Sequence, residues 1–261
     1  MNNPEPVITI NDLCLRFGKK KVLDGVNARF ERGEAVLVAG NNGAGKSTLL
    51  RCIAGIYHPG SGSIRLAPSI DRNKLGLISD KMSLFEHFTL KEGIEFHSRV
   101  FNIKKFDDSL IKPLNIEMNQ KIKNLSSGER ALYHLSLLLS QEPDILLVDE
   151  IIHATDPYLR ELFLEGVIEL IDRLQTTVIM VNQTFYEMGR IPERVLIMEN
   201  GRFVLDEKAE DLFGKMKKIV TDKEISPDIP VVFKKVSSMY TEYYVYPFSE
   251  EMKTTHDCEF R

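Results

Sequence analysis

The chain has 261 residues, 43% hydrophobic and 28% charged, with a formal net charge of −4. That balance implies a globular core and gives no electrostatic case for binding nucleic acid. Its three cysteines, Cys14, Cys52 and Cys258, lack metal-ligand spacing and fit a reducing compartment, and no apolar run nears the ~20 residues that span a bilayer.

Residues 1–6 carry no basic region and no apolar stretch follows, so no signal peptide is expected. From 7 to 30 apolar residues alternate: Ile8 and Ile10, then Leu13, Leu15 and Phe17, then Val26, Ala28 and Phe30. This predicts antiparallel strands with turns at 17–20 and 31–34. Lys19, Lys20 and Lys21 read as a solvated turn. Phe17, beside Gly18, is either a core aromatic or a face for a purine.

Residues 35–39 predict a short buried strand, and 48–54 a helix that Gly55 would stop. Between them stands Gly40-Asn41-Asn42-Gly43-Ala44-Gly45-Lys46-Ser47, followed by Thr48. It fits G-x-x-x-x-G-K-[ST], a loop that cradles phosphates. Its glycines let backbone N–H groups turn inward, and the helix start adds partial positive charge. Lys46 is expected on the β- and γ-phosphates, and the Ser47 hydroxyl on Mg²⁺.

A turn cluster at 58–62 leads to a strand at 63–66, and a further strand at 75–78 ends at Ser79-Asp80. Residues 83–125 read as mostly helical. Thr89 and Glu92 make a capping box, with Phe96 and Val100 on the inner face, and Phe106-Asp107-Asp108 opens a shorter helix. Leu125-Ser126-Ser127-Gly128-Glu129-Arg130 precedes a helix over 131–140. Ser126 and Glu129 by themselves amount to a capping box.

Residues 144–150 form an apolar run ending in Asp149-Glu150, which suits a parallel strand buried on both faces. Carboxylates there reach the sheet edge where ligands bind. Asp149 is the expected Mg²⁺ partner and Glu150 the water-orienting base. Asp156-Pro157 opens a helix to about 174. A buried strand at 177–181 ends at Asn182-Gln183, and Asn200-Gly201 turns a hairpin. From 207 the composition changes: an amphipathic segment at 209–220, a linker with Pro227 and Pro230, and strands at 231–233 and 243–246.

The phosphate loop, the 125–130 segment, the Asp149-Glu150 strand and Asp156, in this order, resemble the nucleotide-binding subunit of ABC transporters over roughly residues 7–206. Residues 84–90 resemble the subclass in bacterial exporters. The resemblance implies an α/β P-loop NTPase with a mostly parallel central sheet and an N-terminal antiparallel β subdomain. An ATP-binding domain at 1–206 would hold a short helical subdomain at about 83–140, followed by a small α+β appendage at 207–261.

The resemblance further implies ATP and Mg²⁺ as cofactors, and an ATPase energising a membrane transporter. Two subunits, identical or different, would pair head to tail around ATP, with an integral membrane permease as partner and no nucleic acid. The chain would lie peripherally on the cytoplasmic face of the membrane. Phe17 matches the adenine-stacking aromatic. Ser126 and Gly128 would face the γ-phosphate held by the other subunit, and Asp156 matches the dimer-contact loop. In that family the region of Leu84, Phe85 and Phe88 borders a groove for a helix of the permease, which these residues would serve if exposed; the alternative is that they pack the helical subdomain.

The chain departs from that family where Asp80 replaces Gln or Glu near the metal and Gln183 replaces the γ-phosphate-contacting His. Ile151 and Ile152 replace Pro-Thr. A Gln amide donates a hydrogen bond but carries no titrating proton. A catalytically weakened regulatory or scaffold subunit is therefore the alternative. Without a long coiled coil, second phosphate loop or basic surface, a DNA-repair or translation ATPase of this fold is disfavoured.

Overall fold

The computed structural model describes residues 6–79, 85–149, 156–182, 191–237 and 239–248. Asp80, Leu84, Glu150, Gln183, Ile151, Ile152 and residues 153–155 lie outside them. Strands β1 (Ile8–Phe17) and β2 (Lys20–Phe30) pair antiparallel from Ile8 opposite Phe30 to Phe17 opposite Lys20. The alternation works as expected: Ile8, Ile10, Leu13 and Leu15 are buried. Strand β3 (Ala35–Ala39), buried at every position, leads through the phosphate loop into helix α1 (Lys46–Ile53). Strand β4 (Ser61–Leu66) returns to the free edge of β1 and completes a three-stranded antiparallel sheet.

The chain then forms β5 (Leu75–Ser79), α2 (Leu90–Val100), α3 (Ser127–Gln141), β6 (Ile145–Asp149), α4 (Pro157–Leu174) and β7 (Thr177–Asn182). The hairpin of β8 (Arg194–Glu199) and β9 (Arg202–Lys208) follows. Asn200 and Gly201 turn it with φ of 48° and 78°, the left-handed pair such a turn requires. The central sheet runs β5-β6-β7-β3-β8-β9, parallel except for β9. Ser79 lies opposite Asp149, Asp149 opposite Val181, and Ala39 opposite Asn182. The segments after β3, β5, β6 and β7 therefore leave from one sheet edge, where open α/β sheets bind ligands.

Two local expectations fail. Thr89 and Glu92 do cap α2, but Phe96 and Val100 are 43% and 56% exposed. The buried residues of α2 are Leu90 and Gly93. Gly93 lets α2 close on Tyr133 of α3, whose Oη donates to the Leu90 carbonyl at 3.0 Å. Phe96 turns instead to a surface cluster with Phe85 and Phe88. Residues 101–126 hold only short 3₁₀ turns at Lys112–Leu114 and Ile122–Asn124, not a second α-helix. The Asp107 side chain accepts from the Ser109 N–H at 3.0 Å, a local turn that competes with helix.

After β9, the amphipathic segment over 209–220 divides into two elements. Helix α5 (Ala209–Lys215) gives way to β10 (Lys217–Thr221), whose Ile219, Val220 and Thr221 suit a strand. Strands β11 (Val231–Val236) and β12 (Thr241–Val245) complete a sheet ordered β10-β12-β11. Phe233 and Tyr244 of this sheet are buried in the same cluster as Leu37, Ala39 and Val195 of the central sheet.

A Cβ at Gly93 would run into Tyr133 Oη. Gly93→Ala should therefore cost roughly 1–3 kcal/mol in overpacking, offset by roughly 1 kcal/mol of helix propensity. In a Tyr133→Phe background the same change should cost at least about 1 kcal/mol less, because the obstructing oxygen is gone. Denaturant unfolding of the four proteins checks this, and strictly additive costs would contradict the packing described.

Candidate functional site

The phosphate loop is built around a buried ammonium. Lys46 is 4% exposed, and its Nζ donates to the carbonyls of Gly40 at 2.7 Å and Asn41 at 3.1 Å. The backbone reaches this shape only through glycine. Gly45 has φ 112°, and a Cβ there would sit 2.8 Å from the Val22 carbonyl. A Cβ at Gly40 would run into the Met198 carbonyl, whereas one at Gly43 would meet nothing within 4 Å. Gly45 is also the N-cap of α1, with no side chain capping the helix. The first N–H groups of α1 and its positive end thus meet the loop, an arrangement that attracts anions.

A cavity of about 510 Å³ opens beside the loop. Phe17, Lys20 and Val22 line one side, and Asn42, Gly43 and residues 45–48 the other. Phe17 is 49% exposed and touches Tyr57 edge-on at 5.3 Å between ring centroids. It is therefore a surface aromatic next to the loop, not a core residue. Lys20, expected as part of a solvated turn, lines this cavity because it pairs with Phe17 across the β1–β2 turn. Gly40, Asn41 and Ala44 shape the loop from behind, with the Ala44 carbonyl accepting from the Gly201 N–H at 2.9 Å.

The structure also joins the loop to the end of β6. Ser47 Oγ donates to Asp149 Oδ1 at 2.7 Å, and Arg51 Nη2 meets Asp149 Oδ2 at 3.2 Å. Asp149 is 3% exposed, so its charge is answered at close range. Arg51 was not singled out from the sequence. Its signal was helical spacing, since residues 47 and 51 share one face of α1.

Other expected site residues lie elsewhere. Ser126 caps α3, accepting from the Glu129 N–H at 3.2 Å, while Glu129 accepts from the Ser126 N–H at 2.8 Å. Gly128 is buried in the first turn of α3. Asp156 caps α4, accepting from the Tyr158 N–H at 2.9 Å. None of the three lines the loop cavity. Asp80, Glu150 and Gln183 fall outside the described residues, one position beyond Ser79, Asp149 and Asn182.

A second cavity, of about 370 Å³, lies between α2, α3 and edge strand β5. Phe85, 53% exposed, stands at this groove and stacks on Phe88 at 4.9 Å. His97 and His134 also line it. Desolvation pushes His134 down to about 4, with His97 adding to the shift, and desolvation lowers His97 against a hydrogen bond to the Leu137 backbone. Both imidazoles are thereby kept neutral near pH 7.

The family model described as ABC transporter matches residues 23–153. The chain belongs to the ABC transporter family. A probable sulfate/thiosulfate import ATP-binding protein of Chlorella vulgaris is 30% identical over 218 residues, 78% of this chain and 92% of that protein. A solved ATP-binding subunit of an ABC transporter shares the fold, with a TM-score of 0.71 at 23% identity over 80% of this chain and 93% of that one. So does an ATP-binding cassette solved as a dimer bound to ADP and Pi, with a TM-score of 0.64 at 22% identity over 77% and 98% of the chains. This ABC chain is thus an ATP-binding subunit and an ATPase. The fold is the expected one: a mostly parallel central sheet, an antiparallel β subdomain and a phosphate loop at the sheet edge.

Lys46→Ala should abolish ATP binding or weaken it strongly, because the phosphates lose a charge-assisted donor. A binding titration that finds unchanged affinity would sink the loop assignment.

Proposed function

We propose that two such subunits close around ATP and that closure drives an integral membrane partner. The observation that carries the reading is the Ser47–Asp149 bond, 2.7 Å long, which joins the phosphate loop to the strand end that precedes Glu150. The loop amides and Lys46 would bind the β- and γ-phosphates, and Phe17 would stack on the base. Ser47 and Asp149 form an oxygen-only donor pair, which fits a hard cation such as Mg²⁺. Among the described residues no three His, Cys, Asp or Glu side chains gather, and Asp80, nucleotide and water would complete the shell. When bound, Mg²⁺ would neutralise charge on the phosphates. Asp80 would join this corner, Glu150 would orient the attacking water, and Gln183 would donate to the γ-phosphate.

Ser126, Gly128 and the start of α3 would serve the nucleotide held by the other subunit, the helix end favouring its negative charge. Asp156 would stand at the contact between subunits. The second subunit would be a copy of this chain or a different ATP-binding subunit. The groove with Phe85 and Phe88 at its mouth would receive a short helix of the membrane partner. No helix among the described residues is long and apolar enough to cross a membrane, so attachment at the cytoplasmic face would run through that partner. We assign the ATP-binding domain to 1–206, its helical subdomain to 83–140 and the appendage to 207–261, although β9 crosses the boundary.

A second reading, weak turnover with a regulatory or scaffold role, is favoured by Asp80 and Gln183. Gln183→His tests it. If Gln183 is only a neutral donor, the variant should turn ATP over faster, at the low end of the ~10²–10⁴-fold that positioned acid–base groups supply. It should also gain a pH dependence near neutrality, where only an imidazole titrates. ATPase rates over a pH series, with Glu150→Gln as the blank, give the answer. A fast parent and no gain in the variant would remove the case for a weakened site.

A further inference from the structure

One of the carbonyls that answer Lys46 belongs to Asn41. The side chain of that residue is engaged elsewhere. Its Nδ2 donates to the backbone carbonyl of Lys234, 3.0 Å away in β11. Lys234 follows Phe233, which is buried in the principal core with its ring centroid 5.3 Å from that of Tyr244. The strand is thus fixed to the body of the protein, and Asn41 is fixed to the strand.

A phosphate loop needs such fixing. Its glycines have more conformational freedom to lose than other residues, and a loop already held in its binding shape loses less on binding. The second half of this loop is braced by the Gly201 N–H on the Ala44 carbonyl and by close packing of Gly45 under Val22. The first half has Asn41 and β11.

We propose that Asn41 is a positioning residue that braces the phosphate loop against the C-terminal sheet, so that the appendage sets nucleotide affinity. The proposal rests on the reading of this loop as the nucleotide site. Coupling between two sites is reciprocal, so nucleotide binding steadies β11 in turn. The acceptor is a backbone oxygen, so the side chain at position 234 is immaterial to the tie.

Two variants separate the tie from other effects. Asn41→Leu keeps the approximate size and removes the donor, while Lys234→Gln keeps the carbonyl and removes a charge. Titrated with Mg²⁺-ATP, Asn41→Leu should bind about two- to tenfold more weakly, the worth of one hydrogen bond, with little change in melting temperature. Lys234→Gln should bind as the parent does. By hydrogen exchange, ATP should slow the amides of residues 231–236 in the parent and not in Asn41→Leu. Without nucleotide, these amides should exchange faster in Asn41→Leu than in the parent. Unchanged or tighter ATP binding by Asn41→Leu, or an equal loss in Lys234→Gln, overturns the proposal. A parent that binds no ATP contradicts the nucleotide reading instead, and the nucleotide-free exchange comparison still decides the tie.

Discussion

A buried ammonium must be met by oxygen, and this requirement organises the site. An unpaired charge removed from water costs far more than a domain's net stability can absorb. Lys46 is answered by loop carbonyls that converge on it only because Gly40 and Gly45 permit backbone approaches closed to any side chain. A phosphate offers the same ammonium stronger acceptors, so the arrangement that solves a folding problem also presents a receptive site for an anion.

Helix α1 carries that site to the rest of the sheet. Its first turn presents Ser47 and its second Arg51, and both hold Asp149 at the end of β6. The parallel register then sets Ser79 and Asn182 along the same edge as Asp149 and Ala39. In the sequence, Asp80, Glu150 and Gln183, the three residues proposed to handle metal, water and γ-phosphate, each follow one of these strand ends. On the other side, the β1–β2 turn brings Phe17 and Lys20 against the loop. The antiparallel subdomain supplies one wall of the cavity, and the phosphate loop with the start of α1 the other.

Much of this was legible in the sequence because the signals are local. The phosphate loop is one contiguous motif, Asp149 ends an apolar run, and the caps at Thr89, Ser126 and Asp156 act within three residues. Contacts between distant segments were not legible. Nothing in residues 231–236 announces that the Lys234 carbonyl meets Asn41, and Lys20 looks like a solvated turn until its cross-strand pairing with Phe17 is known. Phe96 and Val100 were misplaced for a related reason. An amphipathic helix offers neighbouring stripes, and close packing of Gly93 on Tyr133 selected the one containing glycine over the larger apolar residues. The strand β10 was missed because Lys217–Thr221 continues an amphipathic period, and its pairing partner β12 lies more than twenty residues on.

The account turns on ATP drawing two subunits together. Glu150→Gln removes a charge that repels the γ-phosphate and leaves the loop, Lys46 and Asp149 in place. Sedimentation of this variant with and without Mg²⁺-ATP tests the claim most directly. The account predicts a dimer with ATP and a monomer without it. A monomer under both conditions would contradict self-pairing and require a different partner chain.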